Sequence, residues 1–226
     1  MRLTILGSLA FLTFGCTADK PEPNDRQAPN PEQVQEEIQR AKLLEIAGKY
    51  KTFGRADGRM RWAPIICDEE PEYGATRPPR RPEPNHLISQ SGDETTHGRK
   101  LYRIYATKFD GLMGSYAFEK DAAGKTVPVS EQVIVKESWI PEEVKTPGNA
   151  VGFARGADGK IYQPAGQGPL FVMYRNDPNT PGTDDGWVYG TLTPDGKTVT
   201  GVGRIESCMN CHLKAPHGRL FGLPND

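Results

Sequence analysis

Cys208-Met209-Asn210-Cys211-His212 stands fourteen residues before the last position of a 226-residue sequence. Whatever fold presents it is therefore assembled almost wholly from the chain upstream. Two thiols three positions apart, followed at once by an imidazole, fit a single helical turn. C-x-x-C-H is the attachment pattern of a c-type haem, in which the sulfurs add to the vinyl groups and the histidine ligates the iron. The C-x-x-C core also occurs in zinc sites and dithiol redox sites. Here only Cys16 and Cys67 remain outside the motif, which supplies no second pair for a four-sulfur zinc site, and no strand-helix-strand pattern surrounds it. One covalently attached haem c is the expected cofactor, held by Cys208 and Cys211 with His212 on the metal. No methionine follows Met209. A sixth ligand therefore comes from upstream, where His97, Met60, Met113 and Met173 are candidates and would make an electron-transfer cytochrome, or the iron keeps an open position for a small molecule.

The other end points outside the cytoplasm. Arg2 precedes an apolar run over 3–14, followed by Gly15-Cys16, the cationic and apolar pattern of a secretory signal and too short for a mature spanning helix. Leu12-Thr13-Phe14-Gly15-Cys16 resembles a bacterial lipoprotein signal, with Thr13 where leucine is more usual, and an ordinary cleaved signal is the alternative. The expectation is a signal over 1–15 and a lipidated tether over 16–30, with Cys16 carrying the lipid. The protein is then extracytoplasmic, in the bacterial periplasm or at the cell surface, touching the membrane through that lipid alone. Residues 17–30 are proline-rich and polar, with almost nothing to bury. Cys67 is left with no partner in the chain, as a buried thiol or an intermolecular link.

An N-terminal helix with an irregular wrapping segment is expected over 31–97, and a haem domain over 98–226. Asn30-Pro31-Glu32-Gln33 reads as a cap with proline at the first helical position, and Val34, Ile38, Ala41, Leu44 and Ala47 recur at helical spacing up to Gly48. From 50 to 96 prolines interrupt scattered apolar residues such as Trp62, Ile65 and Ile66, an arrangement ordered by wrapping over the downstream domain. After Gly98, short β-branched and aromatic runs at 101–106, 133–136, 170–174 and 187–192 read as strands. Pro194-Asp195-Gly196 turns the last into a hairpin with 198–202. Residues 111–120 read as a short helix carrying Leu112, Tyr116 and Phe118. The expected plan is α+β: an antiparallel sheet of about five strands, helices packed on one face, and a C-terminal haem-binding helical turn. A four-helix bundle is excluded by the presence of one good amphipathic helix. A formal net charge of −1 gives no reason to expect nucleic acid as a partner.

A C-terminal haem motif behind such a sheet resembles the cytochrome P-460 family. The resemblance rests on Leu101-Tyr102-Arg103-Ile104-Tyr105, Val133-Ile134-Val135-Lys136-Glu137, Gly186-Trp187-Val188-Tyr189 and Glu206-Ser207-Cys208-Met209-Asn210-Cys211-His212, all within 98–213. It implies a mono-haem enzyme that oxidises hydroxylamine or a related small nitrogen oxide and passes electrons to a soluble electron-transfer protein, and it implies a homodimer. It also implies a haem cross-link at Lys136. Relatives called cytochromes c′-beta lack that cross-link and bind nitric oxide or carbon monoxide. Read from the residues alone, strand alternation places Ile134 and Lys136 on one face and Val133, Val135 and Glu137 on the other. That reading leaves both a haem-facing amine and a surface lysine paired with an acid. Trp187, Tyr189 and Tyr102 suit a haem-pocket wall or an ordinary core. On the distal side the family's phenylalanine or carboxylate has no clear match. His97, leading into the first strand, is read as a proton shuttle, sixth ligand or capping residue, and Glu137 and Glu206 as candidate bases for the protons that hydroxylamine oxidation releases. His86 and His217 carry no assigned role.

Overall fold

The structure, a computed structural model, describes residues 30–55, 88–91, 98–110, 115–148, 152–155, 159–215 and 218–221. The expected signal, the expected tether with Cys16, most of the expected wrapping segment with Cys67, and His97, Met60, Met113, His86 and His217 lie outside the described residues.

Helix α1 (Pro31–Lys49) begins as its sequence dictates. The Asn30 side chain accepts a hydrogen bond from the Glu32 amide at 3.0 Å, and Pro31 occupies the first turn, where no amide donor is needed. Glu32 in the first turn and Lys49 in the last oppose the helix dipole favourably. The buried stripe is Gln39, Leu43 and Ile46, continued by Tyr50 in a short 3-10 turn (Tyr50–Thr52). This corrects the face expected from sequence. Val34, Ile38 and Leu44 are exposed, and the equally periodic set centred on Leu43 faces the sheet.

Twelve strands follow among the described residues: β1 (Gly54–Arg55), β2 (Ser89–Ser91), β3 (Lys100–Ala106), β4 (Phe109–Asp110), β5 (Ser115–Tyr116), β6 (Phe118–Lys120), β7 (Thr126–Pro128), β8 (Val133–Val144), β9 (Ala154–Arg155), β10 (Ile161–Arg175), β11 (Trp187–Leu192) and β12 (Val199–Gly203). Helix α2 (Glu206–His212) comes last. The main sheet is antiparallel and eight-stranded, in the order β1-β3-β8-β10-β11-β12, with β2 added to β3 and β9 to β10. The expected five correspond to its long strands. The three extra ones are two or three residues long, below what alternation in a sequence reveals. The short helix expected over 111–120 is also corrected: Ser115–Tyr116 and Phe118–Lys120 are strands in two small hairpins, β4-β5 and β6-β7.

Both faces of the sheet are covered, and so Val133 through Trp139 are buried without alternation. On one face Leu43, Ile46 and Tyr50 pack with Tyr105, Val133, Val135, Leu170, Val172, Val188 and Leu192. A Cβ at Gly190 would overlap the Leu43 side chain, so glycine lets α1 sit directly on β11. On the other face Ile134, Met173, Trp187, Tyr189 and Leu220 form a second core, against which Cys208 and Met209 of α2 pack. Helix α1 thus covers one face and α2 the other, and the second helix expected beside α1 is replaced by the strands at Ser115–Tyr116 and Phe118–Lys120. The α+β class stands.

Candidate functional site

Helix α2 holds the C-x-x-C-H residues in two turns, closed by Met209 N–H to the Ile205 carbonyl at 2.9 Å and Leu213 N–H to the Met209 carbonyl at 2.8 Å. Spacings of three and four bring Cys208, Cys211 and His212 to the same side. Cys208 is a half-buried free thiol, and burial pushes its pKa up. Cys211 is engaged in a disulfide whose other half lies outside the described residues.

His212 is fixed by one strong contact. Its Nδ1 lies 2.7 Å from the Arg219 carbonyl oxygen. A carbonyl only accepts, so Nδ1 carries the proton and Nε2 presents its lone pair, the arrangement by which protein histidines bind metals. Burial, reinforced by the charge of Lys136, lowers the imidazole pKa against the opposing Arg219 contact and keeps the ring neutral. Tyr189 and Phe221 flank it, with ring centroids at 5.6 and 5.3 Å.

Behind Arg219 stands a charged clamp. Its Nε and Nη2 donate to the two carboxylate oxygens of Asp184 at 2.6 and 2.8 Å, and the Tyr189 hydroxyl donates to the same carboxylate at 2.8 Å. Burial alone would raise the Asp184 pKa, but the Arg219 fork and the Tyr189 hydroxyl overcome it and hold the carboxyl below its ordinary value. Tyr189 is driven upward by burial and by that carboxylate. Sequence reading missed both Asp184 and Arg219. They sit in loops, 35 positions apart, and no spacing marks them as a pair.

Lys136 shares this face. It pairs across the sheet with Ile104 and Phe171, alternates with Ile134 of the second core, and rests its Nζ 4.1 Å from the Tyr102 ring centroid. Burial, with a smaller contribution from Lys100, pushes its pKa down to about 7, so a large share of the amine is neutral at neutral pH. Trp187 and Tyr189, each 1% exposed, lie on the same face. Met173 is buried there too.

Glu137 is not with them. The pleat turns it to the α1 face, where it is 1% exposed and accepts from the Tyr50 hydroxyl at 2.8 Å, the Tyr105 hydroxyl at 3.2 Å and the Lys51 ammonium. The sheet itself separates it from His212, and the expectation of a base beside the motif does not fit that position. Glu206 is exposed at the start of α2. Among the described residues no three His, Cys, Asp or Glu side chains gather as a metal cage.

The face therefore joins Lys136, Trp187, Tyr189, Cys208 and His212, and leaves Glu137 behind the sheet. No family model matches the chain, and no curated protein matches it.

Proposed function

We propose that the chain is an exported, lipid-anchored mono-haem c-type cytochrome resembling the cytochrome P-460 family, acting on hydroxylamine or a related small nitrogen oxide. The observation that carries the reading is His212, whose Nδ1–H is spent on the Arg219 carbonyl so that Nε2 is left for a metal, one helical turn from the Cys208 thiol.

Cys208 and Cys211 would hold the haem through thioethers and His212 would ligate its iron. Bound there, the haem supplies one-electron chemistry and a coordination position for a small ligand. The residues fit with one condition. The Cys211 sulfur is in a disulfide, so a thiol reductant has to free it, each sulfur taking up a proton, before it adds across a vinyl group. Tyr189 and Phe221, which flank the ring of His212, would keep water from it. Lys136, buried on the same face and partly neutral at pH 7, has the nucleophilic form that a covalent link to the porphyrin edge would require, a link in which one N–H and one porphyrin C–H give two electrons and two protons to an external oxidant such as a peroxide. A binding-only role for nitric oxide needs the same haem without that link, so Lys136 separates the two.

The test is an optical spectrum of the full chain matured with a haem-attachment system, oxidised and reduced, with and without nitric oxide. The expected result is a haem that stays on the denatured polypeptide, with a spectrum that changes in Lys136→Ala. A colourless product overturns the haem reading, and an unchanged spectrum in K136A overturns the cross-link and leaves the nitric oxide binder.

A further inference from the structure

We infer that Asp184 is a positioning residue for His212, acting through Arg219, whose side chain it clamps and whose backbone carbonyl holds the imidazole. This rests on the reading of His212 as the iron ligand, and it adds a determinant that neither the motif nor its spacing contains.

Two features of Arg219 carry the argument. It occupies the left-handed region at φ +75°, a conformation that a long side chain adopts only when its surroundings compel it. That conformation belongs to the turn that brings its carbonyl to Nδ1 of His212 at 2.7 Å. The compelling contact is the two-pronged ion pair with Asp184, which is 8% exposed and therefore acts with little screening. Asp184 is itself immobilised. Its backbone exchanges hydrogen bonds with Trp187 at 2.8 and 2.9 Å, and its carboxylate takes the hydroxyl of Tyr189, whose ring lies against His212. A closed loop results: strand β11 fixes Asp184, Asp184 fixes Arg219, the Arg219 carbonyl fixes the proton on Nδ1, and Tyr189 closes the circuit from the side.

The chemical consequence is on the electrons of the ring. A strong acceptor at Nδ1 makes Nε2 a better donor, and that favours the oxidised state of a metal bound there. Loosening the carbonyl has the opposite effect.

The experiment uses the full chain in two states. In the haem-free state, nitrogen-15 NMR of the His212 ring reads the tautomer; in the haem-loaded ferrous state, resonance Raman reads the iron–histidine stretch, and a redox titration the midpoint potential. Wild type is expected to show the Nδ1–H tautomer alone. Asp184→Asn and Arg219→Gly should both give a tautomer mixture, a lower stretching frequency and a higher midpoint potential. Glycine at 219 is informative because it accepts the positive φ without the clamp. Arg219→Lys, keeping the charge but losing the fork, should fall between, and Tyr189→Phe should give a small shift in the same direction should the larger changes prevent folding. Folded D184N or R219G protein with the wild-type tautomer overturns the inference, even where stability has dropped. A chain that takes up no haem overturns the haem reading, and the NMR measurement still decides whether Asp184 governs His212.

Discussion

Lys136 and Glu137 are neighbours on β8, both buried, and the pleat sends them to opposite faces with opposite fates. On the α1 face the charge of Glu137 is met by two tyrosine hydroxyls and an ammonium, and helix, turn and strand close over it. On the α2 face Lys136 rests its ammonium over the Tyr102 ring, and burial takes away much of its charge. One face uses its polar group to hold the fold together. The other keeps a desolvated amine on the same face as a neutral imidazole, an arrangement that costs stability.

Three substitutions break or sharpen that contrast. The largest effect is expected from Leu43→Ala, which empties the contact between α1 and Gly190 and should cost about 3 kcal/mol of unfolding free energy by denaturant titration. The haem attachment proposed for the other face should survive it; its loss would show that the two faces are not independent. Next, Glu137→Gln should cost about 2 kcal/mol by weakening the hydrogen bonds of Tyr50 and Tyr105. Burial first, and then the carboxylate, raise the pKa of both tyrosines, so the variant's tyrosinate absorbance should appear at lower pH. The smallest effect is a gain: Lys136→Met in the haem-free chain should add about 1 kcal/mol at pH 7. The sign comes from proton counts. Between about 7, the folded value, and 10.5, the ordinary one, the unfolded chain holds a proton that the folded chain has released, so the parent gains stability as pH rises through this window. The methionine variant should lose that slope, and equal slopes in the two chains would place Lys136 in contact with water.

Much of this was legible in the sequence, for local reasons. Asn30-Pro31 announced the start of α1 because a cap and a proline act within one turn, and the runs at 101–106 and 187–192 announced strands because their side chains need both faces covered. The long extensions were hidden. Pro141 interrupts the sequence signal of β8, and Pro164, Gly166 and Gly168 that of β10, yet pairing continues across shifts in register between Pro164 and Gly166 and between Gln167 and Leu170. Gly168 is needed there, since a Cβ would come 2.6 Å from the Ser138 hydroxyl oxygen. The face of α1 was misread because two apolar stripes share its periodicity, and only the groove at Gly190 selects Leu43. Alternation along β8 separated Lys136 from Glu137 correctly, but no periodicity joins Asp184 to Arg219, since both depend on how loops return to the sheet.

Helix α2 has seven residues, no side-chain cap at its start and no fully buried residue of its own. A helix that short has almost no standing in water by itself and borrows its shape from the sheet beneath. It is consequently among the first parts to peel away on opening and the last to settle on folding. Should the haem attachment proposed above hold, a sheet that is already complete can keep α2 out, its sulfurs accessible once the Cys211 disulfide is reduced, and take it in once the chemistry is done.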